Sequence, residues 1–323
     1  MASQPVVVVA GPTASGKSAL ALDLARCLNG VIINADALQL YRDLPILTAR
    51  PSTAMMAAAP HQLFGILDPD EVSSAGWWRR QAQQTIEATL AQGKLPILVG
   101  GTGLYLRSLM EGISAIPPIP QPIRDATRQH LQGVGHEAFH AELSQLDPET
   151  AARLKVGDTQ RLLRAYEVVK ATNKPLSFWQ RQAKEKAPYR FYSIILLPPR
   201  GLLYARIEDR FDSMIKAGAL EELKELRARG VMPKTILLKA LGVPALLAYL
   251  AGDLSFDQAI VAAKTATRRY AKRQYTWFRG QMRGDAVYPC FYPDPAAPLD
   301  EILKKLQEWL IPSNPQRFDT QEA

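Results

Sequence analysis

Val6-Val7-Val8-Val9-Ala10 runs into Gly11-Pro12-Thr13-Ala14-Ser15-Gly16-Lys17-Ser18 and then into Ala19-Leu20-Ala21-Leu22-Asp23-Leu24-Ala25-Arg26-Cys27-Leu28. The first stretch reads as a β-branched strand and the third as an apolar-periodic helix, and the loop between them fits G-x-x-x-x-G-K-[ST]. Glycines at both ends let the backbone wrap, so that successive N–H groups and the helix N-terminus face an anion. Lys17 adds a point charge and Ser18 a hydroxyl for Mg²⁺. The whole loop, Gly11, Pro12, Thr13, Ala14, Ser15, Gly16, Lys17 and Ser18, is therefore expected to hold a di- or triphosphate. Which molecule carries it stays open, because the cradle reads phosphate oxygens and not the group attached to them.

The 323 residues are 47% apolar, enough to bury a full core as one large domain with an insertion or as two domains. A net charge of +8 favours a polyanionic partner. Cys27 and Cys290 lie far apart without histidines at metal-ligand spacing, which argues against a disulfide framework or a zinc site and for the cytoplasm. The chain enters its first strand without a charged leader, and no apolar run approaches the roughly 18 residues that span a bilayer. A cytoplasmic protein off the membrane, monomeric by default, is expected.

Further apolar runs, Val31-Ile32-Ile33, Ile97-Leu98-Val99 and Tyr192-Ser193-Ile194-Ile195-Leu196-Leu197, alternate with helical segments and predict an α/β fold with a parallel sheet. Asn29-Gly30 is expected to close the first helix. Ile116-Pro117-Pro118-Ile119-Pro120-Gln121-Pro122 reads as a stiff linker into a helical insertion. The expected division is a discontinuous α/β core, 1–115 and 188–312, an insertion, 116–187, and a flexible tail, 313–323. In the core's second part, helical segments are expected over 202–229, 235–251 and 256–279.

Asn34-Ala35-Asp36-Ala37-Leu38-Gln39-Leu40-Tyr41-Arg42 follows the second strand, at the sheet edge where ligands sit in open α/β folds. Asp36 reads as a catalytic carboxylate, as a Mg²⁺ ligand, or as a helix N-cap for the turn Ala37 to Tyr41. Gly100-Gly101-Thr102-Gly103-Leu104-Tyr105 reads as a second anion-facing loop, with Thr102 donating to a departing diphosphate or serving as an N-cap. No acid follows that strand, so the usual ATPase carboxylate is missing there.

The stretch from Lys264 to Arg279 carries Lys264, Arg268, Arg269, Lys272, Arg273 and Arg279 and no acid. At helical spacing, like charges such as Arg268 and Lys272 repel by a few tenths of a kcal/mol, a row that an external polyanion would offset. The alternative is a solvated face with Tyr275, Trp277 and Phe278 in the core. In the insertion, Arg161 and Arg164 share a helical face and, with Arg124, offer phosphate-backbone contacts or ordinary surface charge. His61 and the pair Trp77-Trp78 read as structural.

Together these strings resemble the bacterial tRNA dimethylallyltransferase family: the phosphate loop, Asp36 with Gln39-Leu40-Tyr41-Arg42, Thr48-Ala49-Arg50-Pro51, Pro60-His61-Gln62-Leu63, Leu98-Val99-Gly100-Gly101-Thr102-Gly103-Leu104-Tyr105, Gln160-Arg161 through Arg164-Ala165, and Ala271-Lys272-Arg273-Gln274 with Thr276-Trp277-Phe278-Arg279. The likeness runs in unbroken order from residue 6 to about 280. It implies a P-loop NTPase-like core and an insertion that clasps the tRNA anticodon stem-loop. It also implies transfer of a dimethylallyl group from dimethylallyl diphosphate to N6 of adenosine 37, with Mg²⁺.

For the residues it implies catalysis by Asp36, Thr102, Lys17 and Arg210, with Ser18 on the metal. The implied tRNA contacts are Asp36, Ala37, Leu38, Gln39, Thr102, Arg124, Gln160, Arg161, Leu162, Leu163, Arg164, Lys272 and Arg273. The chain departs from the common pattern at Ala37, where many members have Ser, and at Leu241-Gly242-Val243-Pro244, where many carry Gly-Tyr and a basic residue. From the residues alone, a kinase using ATP in the same loop and an NTP-regulated RNA-binding protein are the competing readings.

Overall fold

The computed structural model describes residues 4–230 and 236–311. In chain order they form β1 (Gln4–Ala10), α1 (Lys17–Cys27), β2 (Gly30–Asn34), α2 (Thr53–Ala58), β3 (His61–Gln62), α3 (Ala75–Ala91), β4 (Leu95–Gly100) and α4 (Gly103–Met110). Next come α5 (Gln121–Leu146), α6 (Pro148–Ala151), α7 (Thr159–Thr172) and α8 (Leu176–Arg181). The chain then forms β5 (Tyr189–Leu196), α9 (Arg200–Lys216), α10 (Ala219–Ala228), a 3₁₀ turn (Ile236–Lys239), α11 (Val243–Ala251), α12 (Phe256–Gln281), β6 (Ala286–Tyr288) and α13 (Leu299–Leu310). It divides into two compact units, one made of the residues up to Met110 and from Ala187 onward, the other Glu111–Lys186. The proposed tail, 313–323, lies outside the described residues.

The first unit is built on a sheet of order β3-β2-β4-β1-β5-β6 in which every neighbouring pair is parallel. Val6 to Ala10 are fully buried, as a strand covered on both faces must be. Alternation sends Val6, Val8 and Ala10 to one face, with Trp78 and Ile86 of α3 and Leu106 of α4. Val7 and Val9 go to the other, with Leu20 and Leu24 of α1 and Ile302 and Leu306 of α13. Because β2, β4 and β1 are adjacent and parallel, the loops that follow them emerge side by side at one edge. That placement makes the site.

The expected strands are present, with β5 beginning earlier, at Tyr189. The helical run expected over 202–229 is two helices, parted where Gly218 takes φ 98°. Asn29, at φ 49°, makes the left-handed turn after α1, whereas Gly30 already belongs to β2. β3, β6 and α13 are not anticipated by the sequence reading. His61 lies in β3 with its Nδ1 2.8 Å from the Ala59 carbonyl, and burial holds its pKa below the ordinary value, as suits a structural residue.

The second unit is helical, with Leu131, Phe139, Leu143, Leu162, Ala165 and Tyr166 forming its core. α5 starts within the proline-rich stretch, with Pro122 in its first turn, and breaks at Gly135. Asp147 ties the unit together by accepting from Thr150 N (3.1 Å) and Ser177 N (3.0 Å).

Gly100 closes β4 so tightly that a Cβ there would lie 2.1 Å from the Ala35 carbonyl oxygen, a backbone atom that cannot swing aside. Gly100→Ala is expected to lose about 1–3 kcal/mol, whereas Gly280→Ala, in open space on α12, should be neutral or slightly stabilising. Thermal unfolding checks this: equal midpoints for the two variants would show that β2 and β4 are not packed this closely.

Candidate active site

The loop after β1 has the conformation its glycines permit. Gly16 sits at φ 95° and a Cβ there would fall 2.0 Å from the Tyr292 carbonyl oxygen, so only glycine fits. Ala14 is left-handed at φ 65°, and Ser15 Oγ is buried with no hydrogen-bond partner among the described residues. Lys17 folds back over its own loop, Nζ donating to the Pro12 carbonyl at 3.2 Å. Burial pushes its pKa down to about 8, with Asp36 opposing that fall and Arg210 adding to it. Arg210, on α9, donates to Thr13 Oγ1 at 3.3 Å. Its pKa is also lowered by burial, against the pull of Asp36.

Asp36 is held by a frame that leaves it little freedom. Trp78 Nε1 donates to the Asn34 carbonyl (2.8 Å), and buried Asn34 uses Nδ2 on the carbonyls of Asp36 and Leu63 (both 3.0 Å). Asn34 Oδ1 accepts from Asp36 N at 2.8 Å. Asp36 Oδ1 accepts from Leu38 N at 3.1 Å, an Asx turn, and no helix follows it, so the helix-cap alternative is replaced by a turn. Oδ2 has no hydrogen-bond partner among the described residues.

Thr102 Oγ1 accepts from Ala37 N at 3.0 Å, and Thr102 N donates to the Ala35 carbonyl at 3.3 Å. The hydroxyl thus braces the Asp36 loop from behind and retains its own proton to donate. The glycines beside it are required by packing. A Cβ at Gly101 would lie 2.2 Å from Gln274 Nε2, and one at Gly103 would lie 2.3 Å from the Trp277 ring.

Gln274 is the residue the sequence reading missed most clearly. Its Oε1 accepts from Thr13 N (2.8 Å) and its Nε2 donates to the Gly101 carbonyl (2.9 Å). The signal was a carboxamide on the same helical stripe as Ala263, Ala271 and Phe278. Tyr270 was also missed. It lines the cavity, and burial together with the nearby Asp36 carboxylate raises its phenol pKa, keeping it protonated.

The basic residues separate into two groups. Lys264 pairs with Asp212 (2.7 Å) and Arg268 with Glu208, both acids on α9, so these two cations are already compensated. Arg269, Lys272, Arg273 and Arg279 are exposed and form no ion pair among the described residues. Tyr275 and Trp277 are partly buried and Phe278 fully so, so one helix has both a packed and a solvated face.

In the second unit, Gln160 and Arg161 are exposed, Arg161 within 4.0 Å of Asp158. Arg164 lies 3.9 Å from Glu167; burial and then the neighbouring Arg124 lower its pKa against the pull of Glu167. Leu162 is fully buried in that unit's core and Leu163 packs against it, so a tRNA contact by Leu162 would be made by its backbone. Val243, at one of the departures noted above, is likewise buried.

One cavity collects Thr13, Lys17, Ser18, Asp36 and Arg210 together with Leu38, Leu47, Ile207, Phe211, Met214 and Leu241. Gly242, at φ 89°, leaves room for the Phe211 ring, which a Cβ there would approach to 2.8 Å. Gln39 fastens the wall by donating to the Thr48 and Ala49 carbonyls. Cations and apolar side chains lining one cavity suit an apolar group esterified to a diphosphate. Ser18 lines the cavity, and its Oγ has no hydrogen-bond partner among the described residues. That suits Mg²⁺, which takes few protein ligands and shares phosphate oxygens and water.

The fold is thus that of a P-loop α/β protein, with cations and apolar side chains lining one cavity beside its loop. Residues 39–281 match the family model described as IPP transferase. A tRNA dimethylallyltransferase of Rhodospirillum centenum is 51% identical over 87% of this chain and 90% of its own length. The tRNA isopentenylpyrophosphate transferase of Bacillus halodurans superimposes with a TM-score of 0.69 at 31% identity, over 95% of this chain and 97% of its own. A eukaryotic dimethylallyltransferase crystallised acting on tRNA gives 0.74 at 29%, over 85% of this chain and 70% of its own. The chain belongs to the IPP transferase family, the tRNA dimethylallyltransferases.

The depressed Lys17 makes a pH prediction. Its ammonium is present in the free protein below about pH 8 and is lost above it, so affinity for inorganic diphosphate should fall as pH rises through about 8. Titration calorimetry on wild type and Lys17→Met separates this from the ligand's own protonation. Matching pH profiles for the two proteins would mean Lys17 is not the titrating partner.

Proposed function

We infer that this chain transfers the dimethylallyl group of dimethylallyl diphosphate to N6 of adenosine 37 of tRNA and releases diphosphate. The observation that carries the reading is the shared cavity, cationic at Lys17 and Arg210, apolar at Leu38, Ile207, Phe211 and Met214, and reached by Asp36. Family membership supplies the reaction class.

Adenine N6 is a poor nucleophile and has to be held in line with the allylic carbon. An unpaired loop base is cheaper to place in a pocket than a paired one. Its amino group donates to the unpartnered Oδ2 of Asp36. As the N6–carbon bond forms, the allylic carbon–oxygen bond breaks, positive charge gathers on nitrogen and negative charge on the departing diphosphate. Asp36 takes the N6 proton once the nitrogen carries that charge, since a carboxylate is too weak a base to remove it beforehand. Lys17, Arg210 and the loop N–H groups hold the leaving group.

When bound, Mg²⁺ supplies charge neutralisation at the diphosphate, with Ser18 Oγ as its protein ligand. Thr102 supports the reaction by fixing Ala37 and by the hydroxyl proton it retains. The tRNA backbone is met by the exposed cations Lys272 and Arg273 of α12 and, on the helical unit, by Arg124, Gln160, Arg161 and Arg164. Ala37, Leu38 and Gln39 flank the base beside Asp36.

Nucleoside mass spectrometry tests the reading: tRNA with unmodified adenosine 37, incubated with the protein, Mg²⁺ and dimethylallyl diphosphate, should yield isopentenyladenosine. Asp36→Ala and Thr102→Ala should still fold and bind tRNA but lose roughly 100-fold or more in turnover, about 3 kcal/mol. Near-wild-type rates in both variants would remove these residues from the chemistry.

A further inference from the structure

We propose that Gln274 is a positioning residue for this reaction: its carboxamide fastens the diphosphate loop to the Thr102 loop, so that tRNA held on α12 and diphosphate held on β1's loop tighten one another's binding. The proposal rests on the functional reading above and adds a coupling between its two substrates.

A buried carboxamide on an otherwise apolar helix stripe is costly unless both its ends are paired. Gln274 is 6% exposed and both ends are paired, each to a different loop and each to backbone. Thr13 N reaches Oε1 and the Gly101 carbonyl receives Nε2, so the connection does not depend on either loop's side chains. Gly101 has no room for a Cβ because the carboxamide occupies that space. The chain of contacts continues from Thr13 Oγ1 to Arg210, so α12, α9 and both loops share one strap.

The outer side of the same helical turn carries the exposed Lys272 and Arg273, and Arg273 lies 5.7 Å over the ring of Tyr270, which lines the cavity. A polyanion that restrains α12 from outside therefore restrains the phosphate loop from inside, through directional hydrogen bonds. A dimension of 2.8 to 2.9 Å at both ends leaves no slack in that link. Coupling of this kind is reciprocal.

The test measures inorganic diphosphate binding to the whole protein with and without an anticodon stem-loop RNA, alongside steady-state prenylation of tRNA. In wild type each ligand should tighten the other about fivefold or more. In Gln274→Ala that factor should fall to about one, with separate affinities kept within about threefold and kcat lowered about tenfold or more at little changed KM for tRNA.

Gln274→Glu gives an independent readout if the alanine variant fails to fold. Its carboxylate can still accept from Thr13 N but cannot donate to Gly101. Protonation restores the donor, so its turnover relative to wild type should rise as pH falls. Wild-type coupling and kcat in Gln274→Ala, no coupling in wild type, or a pH-independent Gln274→Glu ratio would each overturn the proposal while leaving the activity standing. A wild-type protein that forms no prenylated tRNA would instead overturn the functional reading and the proposal with it.

Discussion

Lys17 and Arg210 are two cations withdrawn from water, and Asp36 is the carboxylate that opposes their desolvation. Such an arrangement is expensive for a folded protein, because an ammonium stripped of water gives up several kcal/mol of hydration. Burial, with Arg210 adding to it, pushes the Lys17 pKa down to about 8 in spite of Asp36. In the proposed function a diphosphate restores the balance, offering the charge that Asp36 alone does not. On that proposal the same charges stabilise the diphosphate as it leaves, and binding and catalysis draw on one imbalance built into the protein.

The rest of the first unit can be understood as the framework that maintains this imbalance. Parallel pairing of β2, β4 and β1 sets three loops side by side. Asn34 and Trp78 hold Asp36 from the core, Thr102 holds the following residue, and Gln274 joins the loops after β4 and β1. Each of these groups is hydrogen-bonded to backbone, which gives a placement that side-chain motion does not easily disturb. α12 completes the arrangement by being amphipathic in two senses. Its inner stripe packs, and on its outer side Lys264 and Arg268 are neutralised by α9 while Arg269, Lys272, Arg273 and Arg279 stay open.

Much of this was legible in the sequence wherever a local rule decides the structure. The glycines and Lys17 of the first loop, the β-branched run before it and the apolar periodicity after it each point to the same strand, loop and helix. Asp36 could be placed at the sheet edge because it follows a strand. What escaped depends on distant partners. β3 and β6 have two and three residues, too few for a period to show. Nothing local in the Gly100-Gly101-Thr102-Gly103 string shows that Ala35, Gln274 and Trp277, which come from elsewhere in the chain, leave its glycines no room for a Cβ. The basic run looked uniformly uncompensated because Glu208 and Asp212 lie on another helix. The burial of Leu162 could not be read from its string, because a motif records adjacency and not which side of a helix is buried.

The most direct measurement is a calorimetric comparison of dimethylallyl diphosphate, inorganic diphosphate and ATP on the wild-type protein with Mg²⁺. If the cationic and apolar groups serve one ligand, dimethylallyl diphosphate binds more than about tenfold tighter than inorganic diphosphate, from burial of its hydrocarbon at about 0.8 kcal/mol per CH₂, with a negative heat-capacity change. ATP is then the weakest of the three. Equal binding of dimethylallyl diphosphate and inorganic diphosphate, with ATP tighter than both, would contradict the assignment of this cavity to a prenyl diphosphate.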